Sequence, residues 1–435
     1  MKALIIAAGE GKRIREVSGD LPKPLIPLLG LSLIERVILS AREAGIKDFV
    51  IVVGYKGEEI KERVGDGSRY DVRVEYIENK EWRKGNGLSV LKARDRIKDN
   101  FVLLMADHVF DSDILKELTR EGLKGKDGIL VVDRDIRDYV DLEDATKVKV
   151  EGELIKDIGK DLKDYNGIDC GIFLFSPKIF DAIEESIKQG DDSLSGGVKV
   201  LAKKGRMGYL DIEGGFWIDV DNKNTLEIAE KELLRSLIKD TDGPISRYIN
   251  RPISLRISRI LVNTRVTPNA ITGLSFLLSL LSGLIFFLGG WMNFILAGIL
   301  TQISSIIDGC DGEIARLKFQ SSEYGRWIDS VLDRYADAII ILGMSYGCWL
   351  GFKDALVWIF GFLALTGSLL NSYTAMKYDQ VIREKKMKFR FGRDVRLFII
   401  MAGALMNQIF LTLVFLSIIT NLENLRRILV LGHNT

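Results

Sequence analysis

The sequence DGCDGEIAR that begins at Asp308, followed after eight residues by GRWIDSVLD ending at Asp333, places four carboxylates inside apolar sequence. Asp308 and Asp311 are three residues apart, so both lie on one face of a helix. Asp329 and Asp333, four residues apart, share one face of the next helix in the same way. An aspartate at the centre of a membrane span costs roughly 2.5 to 3.5 kcal/mol, so four facing lipid would cost about 10 kcal/mol or more. We therefore expect two facing helices to direct all four acids into a hydrated interior.

The four carboxylates predict a metal centre for phosphoryl transfer. Carboxylate oxygens are the ligands that Mg²⁺ prefers, and Mn²⁺ accepts the same set. Two ions bridged by carboxylates stabilise the attacking and the leaving oxygen in a displacement at phosphorus. The alternative is a buried polar cluster that stabilises a helix pair, but no matching set of basic residues lies between the acids in the sequence.

The spacing D-x2-D-G-x2-A-R-x8-G-x3-D-x3-D resembles the signature of the CDP-alcohol phosphotransferases and is met without a departure across 26 residues. The resemblance implies that Asp308, Asp311 and Asp329 bind the metal ions. It also implies that Asp333 is a fourth ligand and the base that activates the acceptor hydroxyl.

Further residues of this half are candidate contacts of the nucleotide. Gly312 and Ala315 would let the nucleotide approach the helix backbone, which larger side chains would obstruct. Arg316 would meet its phosphates, because a guanidinium fork matches phosphate oxygens. The family has a T-P-N sequence near its cytidine site, so Asn269 in Thr267-Pro-Asn is either a nucleotide contact or an ordinary helix N-terminus.

Composition divides the 435 residues into a charged first half and an apolar second half. We predict a soluble domain at 1–240, a linker helix at 241–266 and a transmembrane domain at 267–435. The net charge of +1 gives no argument for a nucleic-acid partner. The N-terminal apolar run is too short for a secretory signal, so the soluble domain should be cytoplasmic and the protein a multi-pass component of the cell membrane.

Four apolar stretches have about the 20 residues that a bilayer core requires, at 268–288, 292–313, 326–350 and 354–376. Beyond them, residues 397–420 form one long span, or two spans at 393–406 and 408–431. We expect six spans in all, since the resembled family has six. The connection 377–396 carries eight Lys and Arg against three acids, which places it on the cytoplasmic side with the soluble domain.

Arginines on this side of the membrane predict two anion contacts. In the linker, residues 245–262 read as an interfacial amphipathic helix, its arginines facing anionic headgroups or anionic substrate. At the start of the next span, three arginines would hold a phosphorylated acceptor, the alternative being that they only set topology: Arg390, Arg393 and Arg396.

The first half alternates strand-like and helix-like runs, which is typical of a doubly wound α/β domain. A strand at 2–8 leads into the turn AGEGKR, whose backbone N–H groups can face a phosphate. Ile14 replaces the third glycine of a dinucleotide fingerprint, and Arg13 follows Lys12 where a P-loop needs Ser or Thr. Prolines on both sides of Lys23 fix an extended backbone that presents its ammonium group beside this loop.

These motifs, together with GNG at 85–87, MAD at 105–107 and GFWIDVD at 215–221, resemble the nucleotidyltransferases that make NDP-sugars and CDP-alcohols, over about 1–230. The resemblance implies that a glycine-rich turn and two cations hold the nucleoside triphosphate, namely Ala8, Gly9, Gly11, Arg13 and Lys23. It also implies that Asn86 and Gly87 contact the nucleotide base and that Asp107 and Asp219 bind Mg²⁺. Lys160 and Asp169 would contact the phosphoalcohol. Lys160 is equally well read as a solvated lysine, because its motif departs from the usual E-K-P.

The fusion of these two domains resembles a family of bifunctional archaeal enzymes that join an inositol-1-phosphate cytidylyltransferase to a di-myo-inositol-phosphate-phosphate synthase. The resemblance implies that CTP and inositol 1-phosphate give CDP-inositol, a CDP-alcohol that then reacts with a second inositol 1-phosphate. We also expect a homodimer through the membrane domain. One rival is a phospholipid-headgroup synthase with a lipid acceptor, and another is an ion-binding transporter with a nucleotide-sensing domain.

Overall fold

A computed structural model of the chain describes residues 1–137, 139–239, 241–381 and 391–432. They form two compact units, Met1–Leu233 and Leu234–Thr435. Each unit has its own hydrophobic core.

The first unit is an α/β domain around a sheet with strand order β5-β4-β1-β6-β11-β8-β12-β10-β9. The strands among the described residues are β1 (Lys2–Ala7), β2 (Pro27–Leu28), β3 (Leu31–Ser32), β4 (Asp48–Val53), β5 (Arg73–Glu78), β6 (Phe101–Met105), β7 (His108–Phe110), β8 (Gly128–Asp133), β9 (Lys147–Glu151), β10 (Leu154–Gly159), β11 (Gly167–Phe175), β12 (Met207–Asp211) and β13 (Trp217–Asp219). The helices are α1 (Arg15–Ser18), α2 (Leu33–Glu43), α3 (Gly57–Val64), α4 (Asn86–Lys92), α5 (Ser112–Glu121), α6 (Lys178–Lys188), α7 (Leu194–Lys203) and α8 (Lys223–Arg235).

Strand pairing brings the predicted motifs of this unit to one edge of the sheet. β1 runs parallel to β4 and β6, and these strands are apolar because both faces of the sheet are covered. Ile6 of β1 pairs with Met105 of β6, so the glycine-rich turn and Asp107 both follow the carboxyl ends of neighbouring strands. The small β13–β7 ladder pairs Asp219 with His108 and thereby brings Asp219 to the same edge. Open α/β sheets bind their ligands at this edge.

The second unit is helical. A π-helical turn at Ser246–Asn250 leads into α9 (Arg251–Leu261), followed by α10 (Pro268–Phe287), α11 (Trp291–Leu317), α12 (Glu323–Phe352), α13 (Leu356–Val381), α14 (Arg393–Leu405) and α15 (Ile409–Gly432). Five helices in the described part of the chain are long and apolar enough to cross a membrane, namely α10, α11, α12, α13 and α15.

The apolar region after residue 392 forms two helices, in agreement with the alternative of two segments at 393–406 and 408–431 rather than one at 397–420. Asn407, whose φ is 57°, lies in the break between α14 and α15. At 13 residues, α14 is about 20 Å long, which is less than the ~30 Å of a bilayer core. The predicted count of six spans is therefore not confirmed.

Helix α10 packs against both α11 and α12, whereas α11 and α12 contact each other only slightly. The acids of the two helices nevertheless converge as expected, because Asp308, Asp311 and Asp329 each place one carboxylate oxygen within 4.8 Å of the others. The α10–α12 crossing is tight, because a Cβ on Gly343 would meet the carbonyl oxygen of Gly283. On its other side, α10 is joined to α11 by hydroxyl pairs such as Ser282 Oγ to Thr301 Oγ1 at 2.7 Å. The acids of α11 and α12 converge beside the N-terminal half of α10.

Candidate active sites

The first unit contains a cavity of about 450 Å³ at the carboxyl ends of β1 and β6. Most of the predicted site residues of this unit line it: Gly9, Gly11, Arg13, Lys23, Asn86, Asp107, Lys160, Asp169 and Asp219.

Lys23 is the buried cation of this cavity, with only 7% of its surface exposed. Its Nζ lies 2.6 Å from Asp107 Oδ2, 3.2 Å from Asp219 Oδ1 and 2.5 Å from Asp221 Oδ1. Burial opposes its charge, but these three carboxylates outweigh burial and raise the pKa of Lys23. Pro22 is extended as predicted, while Lys23 itself begins a short 3₁₀ turn. The side chain passes directly over Gly11, where a Cβ would lie 2.5 Å from Lys23 Cβ, so the turn requires glycine at that position.

Asp107, His108 and Asp219 each place one ligand atom within a 4.8 Å cluster. His108 Nδ1 lies 3.0 Å from Asp107 Oδ1, and the ring stacks on Trp217 at 6.0 Å. Burial lowers the pKa of His108, but Asp219 and Asp107 outweigh burial and raise it to about 9. With Nδ1 on Asp107 and its ring on Trp217, His108 either supports the two aspartates or adds a third ligand atom to this cluster. Burial also raises the pKa of Asp219 to about 6.

Arg13 and Lys160 converge on Asp144, a residue that the sequence did not single out. The Arg13 guanidinium pairs with Asp144 and lies 2.9 Å from Asp221 Oδ2. Lys160 Nζ lies 2.6 Å from Asp144 Oδ1. Lys160 therefore belongs to the cavity, although its side chain remains half exposed. Asp169 lines the cavity as well, and burial raises its pKa to about 6.

Two predicted contacts do not line the cavity. Ala8 is buried and its carbonyl oxygen accepts from Tyr55 N at 3.0 Å. Gly87 is buried where a Cβ would lie 2.6 Å from the carbonyl oxygen of Asp192, so its glycine permits close packing of α4 on the segment before α7. Asn86 does line the cavity, and its Oδ1 accepts from Leu194 N at 2.8 Å.

In the second unit, Asp308, Asp311 and Asp329 each place one carboxylate oxygen within a 4.8 Å cluster. Hydroxyl groups of α10 orient two of them: Thr272 Oγ1 donates to Asp311 Oδ2 at 2.5 Å, and Ser275 Oγ donates to Asp308 Oδ1 at 3.1 Å. Asp329 Oδ1 is buried and has no hydrogen-bond partner among the described residues. Three oxygen donors with one orphaned carboxylate oxygen fit a hard divalent cation.

Asp333 lies one turn further along α12 and meets an arginine from α14. Arg393 Nη1 is 2.5 Å from Asp333 Oδ1 and 3.2 Å from Asp308 Oδ2. The sequence argument that no basic residue neutralises the acids is therefore wrong in three dimensions. Arg393 lies 60 residues beyond Asp333 in the chain, so only the packing of α14 brings them together.

Asp337 is a fifth acid that sequence analysis missed. It accepts from Arg393 Nε and from Arg396 Nη2, each at 3.0 Å, and is 3% exposed. The signal was present in the sequence, because Asp337 continues the four-residue spacing of Asp329 and Asp333.

A cavity of about 380 Å³ opens beside Asp333. Its lining contains four arginines, three aspartates, and amide and hydroxyl groups: Arg334, Arg393, Arg396, Arg427, Asp242, Asp333, Asp394, Asn371 and Ser372. Arg427 of α15 was not predicted, and its Nη1 donates to the carbonyl oxygen of Asn371 at 2.7 Å. Arg390 lies outside the described residues.

The predicted nucleotide contacts of this unit lie along α11 and at the start of α10. Arg316 Nε is buried without a partner in the part of the chain that the structure describes. A Cβ on Gly312 would lie 3.2 Å from Arg316 Nη1, so this glycine makes room for the guanidinium group. Ala315 is half-buried and Asn269 is exposed at the N-terminus of α10.

The linker helix differs from its prediction in one respect. Arg251 is buried, with Nη1 2.6 Å from Glu313 Oε1 and Nε 2.9 Å from Asp242 Oδ2. Glu313 also accepts from two serine hydroxyls of α9, at 2.6 and 2.7 Å. The polar face of α9 thus packs on α11, whereas Tyr248 and Ile260 are more than two-thirds exposed. Arg251 is therefore not available to headgroups.

Two family models match the chain. Residues 2–236 match the nucleotidyl transferases, and residues 265–425 match the CDP-alcohol phosphatidyltransferases.

Similarity to characterised relatives extends over nearly the whole chain. The chain is 37% identical to the bifunctional IPC transferase and DIPP synthase of Aquifex aeolicus, over 97% of this chain and 96% of that protein. It is 36% identical to the protein of the same name from Archaeoglobus fulgidus, over 95% of this chain and 80% of that protein. Among solved structures, the inositol-1-phosphate CTP transferase from T. maritima is 27% identical, covering 53% of this chain and 95% of that chain with a TM-score of 0.45.

Proposed function

The chain belongs to the family of bifunctional IPC transferases and DIPP synthases, and on that premise we propose that its first unit makes CDP-inositol and its second unit consumes it. The observation that carries the second step is the acid cluster of α11 and α12 beside an arginine-lined cavity. The first step is supported by the cluster of Lys23, Asp107 and Asp219 at the carboxyl edge of the sheet.

In the first step, a phosphate oxygen of inositol 1-phosphate attacks the α-phosphorus of CTP. The new P–O bond forms as the bond to the β-phosphate breaks, and pyrophosphate leaves with the electron pair. Lys23 and Arg13 would bind the triphosphate, exchanging their present carboxylate partners for phosphate oxygens. Lys160 and Asp169 would hold the incoming phosphoalcohol, and Asn86 would contact the base. The cavity brings all five residues together.

Divalent ions fit both sites through oxygen donors. Asp107 and Asp219 would hold one in the first unit, and Asp308, Asp311 and Asp329 would hold ions in the second, with Asp333 as the further ligand that the family resemblance implies. When bound, Mg²⁺ or Mn²⁺ would neutralise the phosphates and stabilise the leaving oxygen.

In the second step, a hydroxyl of another inositol 1-phosphate attacks the β-phosphorus of CDP-inositol. Asp333 takes the hydroxyl proton, the new P–O bond forms, and CMP leaves with the electrons of the broken anhydride bond. Arg393 contacts Asp333 and lines the adjacent cavity, so a phosphate bound there would bring the acceptor's hydroxyl groups close to this base. Arg316 and Gly312 would receive the diphosphate, with Ala315 and Asn269 as further nucleotide contacts.

The arginine-rich cavity supports a soluble, phosphorylated acceptor. Arg393, Arg396 and Arg427 line it with asparagine and serine, a set that matches phosphate and hydroxyl groups. A diacylglycerol acceptor would carry no phosphate for these groups.

Membrane placement is also proposed. Residues 267–435 would form a multi-pass domain in which α14 contributes a sixth, shorter crossing, and residues 241–266 would lie at the membrane surface. The basic connection 377–396 supports a cytoplasmic soluble domain at 1–240. A homodimer through the membrane domain stays a prediction from the family resemblance.

The acceptor can be tested directly. Purified protein receives CDP-inositol together with either inositol 1-phosphate or diacylglycerol in liposomes, and CMP release is measured. We expect CMP release with inositol 1-phosphate. Faster release with the lipid would instead identify a headgroup synthase.

A further inference from the structure

Asp337 lies outside the acid signature, yet it is more deeply buried than the four signature acids. Both of its oxygens are used: Oδ1 accepts from Arg393 Nε and Oδ2 accepts from Arg396 Nη2. A buried ion pair is often no more stable than apolar residues of the same volume. Stability alone therefore does not explain why Asp337 is paired with Arg393 and Arg396 in a buried position.

Arg393 is shared between Asp337 and the reaction centre. Its Nη1 contacts Asp333 and Asp308, while Nε is fixed by Asp337. Among the described residues, Nη2 has no hydrogen-bond partner. Without Asp337, the remaining acid partners of the guanidinium group are Asp308 and Asp333, and carboxylates favour bidentate pairing with arginine. The group would then pair with both carboxylate oxygens of the base, Asp333.

Arg396 is fixed by the same carboxylate. Its Nη1 donates to the carbonyl oxygen of Ser368 at 3.1 Å, and its Nη2 also donates to Ser372 Oγ at 3.3 Å. Both arginines line the 380 Å³ cavity. Guanidinium groups that are already fixed lose less conformational entropy when an anion binds.

We propose that Asp337 is a positioning residue that presents Arg393 and Arg396 as a preformed receptor for the acceptor's phosphate and limits Arg393 to a contact through one nitrogen with Asp333. The identity of the acceptor rests on the proposed function, but the phosphate chemistry rests on the two arginines.

Kinetics of the second step separate this role from a structural one. The variant D337N keeps the shape of the side chain but removes its charge, and D337E keeps the charge. The matched control is D354N, an exposed aspartate that caps α13 through Leu356 N. We expect D337N to raise the KM for inositol 1-phosphate about 10- to 100-fold, with the KM for CDP-inositol unchanged and D337E intermediate. An unchanged KM for inositol 1-phosphate, or an equal increase in the KM values for both substrates, would overturn the proposal.

A binding measurement keeps the proposal testable if the acceptor is not inositol 1-phosphate. Inorganic phosphate is titrated into the protein, and its binding is measured by calorimetry. The part of the phosphate binding that is present in the wild-type protein and lost in R396A is assigned to this cavity. We expect D337N to weaken that component about tenfold or more. Unchanged binding in D337N, or no such component in the wild-type protein, would overturn the role of Asp337. Phosphate binding that depends on Asp337 without turnover of inositol 1-phosphate would refute only the proposed acceptor. Retained binding of CDP-inositol reports folding of the second unit, and D337E carries the test if D337N is unfolded.

Discussion

Replacing Lys23 by alanine should separate the two activities of the chain. Lys23 contacts three carboxylates in the first unit, and we propose that its ammonium group turns to the phosphates of CTP. Loss of one preorganised charged donor typically lowers turnover about 10²- to 10³-fold. Pyrophosphate release from CTP and inositol 1-phosphate should fall by that factor. CMP release from supplied CDP-inositol should not change, since its residues all belong to the second unit.

The same substitution has a cost in stability that must be controlled. Lys23 is 7% exposed, and its removal leaves Asp107, Asp219 and Asp221 without their shared cation. Breaking a buried ion pair costs about 3 to 5 kcal/mol, a large share of the ~5 to 15 kcal/mol that stabilises a typical domain. Thermal unfolding followed by circular dichroism therefore accompanies the assay.

Two further variants complete the test. K23R keeps the positive charge and should restore folding without full activity, because its planar group is a poor substitute for an ammonium point charge. K47A removes an exposed lysine that pairs with Asp71 at the surface, and it should leave both activities intact. If folded K23A lost CMP release as well, or kept pyrophosphate release, the reasoning would be refuted.

Three other predictions concern the second unit. Asp333→Asn should retain CDP-inositol binding but lose about 10²- to 10⁴-fold in turnover, and Mn²⁺ should not restore the turnover. Asp308→Asn should weaken CDP-inositol binding, and Mn²⁺ should partly restore it. The opposite pattern in a Mn²⁺ titration would reverse the two roles. Arg396→Ala should raise the acceptor KM about 10- to 150-fold, and unaltered acceptor kinetics would remove this residue from the phosphate site. Glu313→Ala should destabilise the unit by up to about 3 to 5 kcal/mol, because Arg251 then keeps only Asp242 as an acidic partner among the described residues, measured by thermal unfolding against the milder Glu313→Gln.

Local patterns were sufficient for much of this architecture. The α/β alternation, the Lys23 and Asp107 motifs and the convergence of the α11 acids with Asp329 followed from short-range spacing. They could be predicted because helical and strand periodicities place side chains on known faces.

The contacts that could not be predicted from the sequence are those between segments that lie far apart in the chain. Arg393 meets Asp333 only because α14 packs against α11, and Arg251 turns inward only because Glu313 lies opposite it. The family resemblance implied Gly87 as a contact of the base, but a Cβ at this position would meet the carbonyl oxygen of Asp192 of the same chain. Charge patterns alone do not reveal which acid an arginine will face.

The central claim is that one chain carries out both steps in succession. Purified protein incubated with CTP and doubly labelled inositol 1-phosphate, ³²P and ¹⁴C, should form CDP-inositol first and then consume it. We expect a product with two inositols and two phosphates, and equal amounts of pyrophosphate and CMP. Accumulation of CDP-inositol without CMP release, or pyrophosphate release that yields neither CDP-inositol nor the di-inositol product, would contradict this claim.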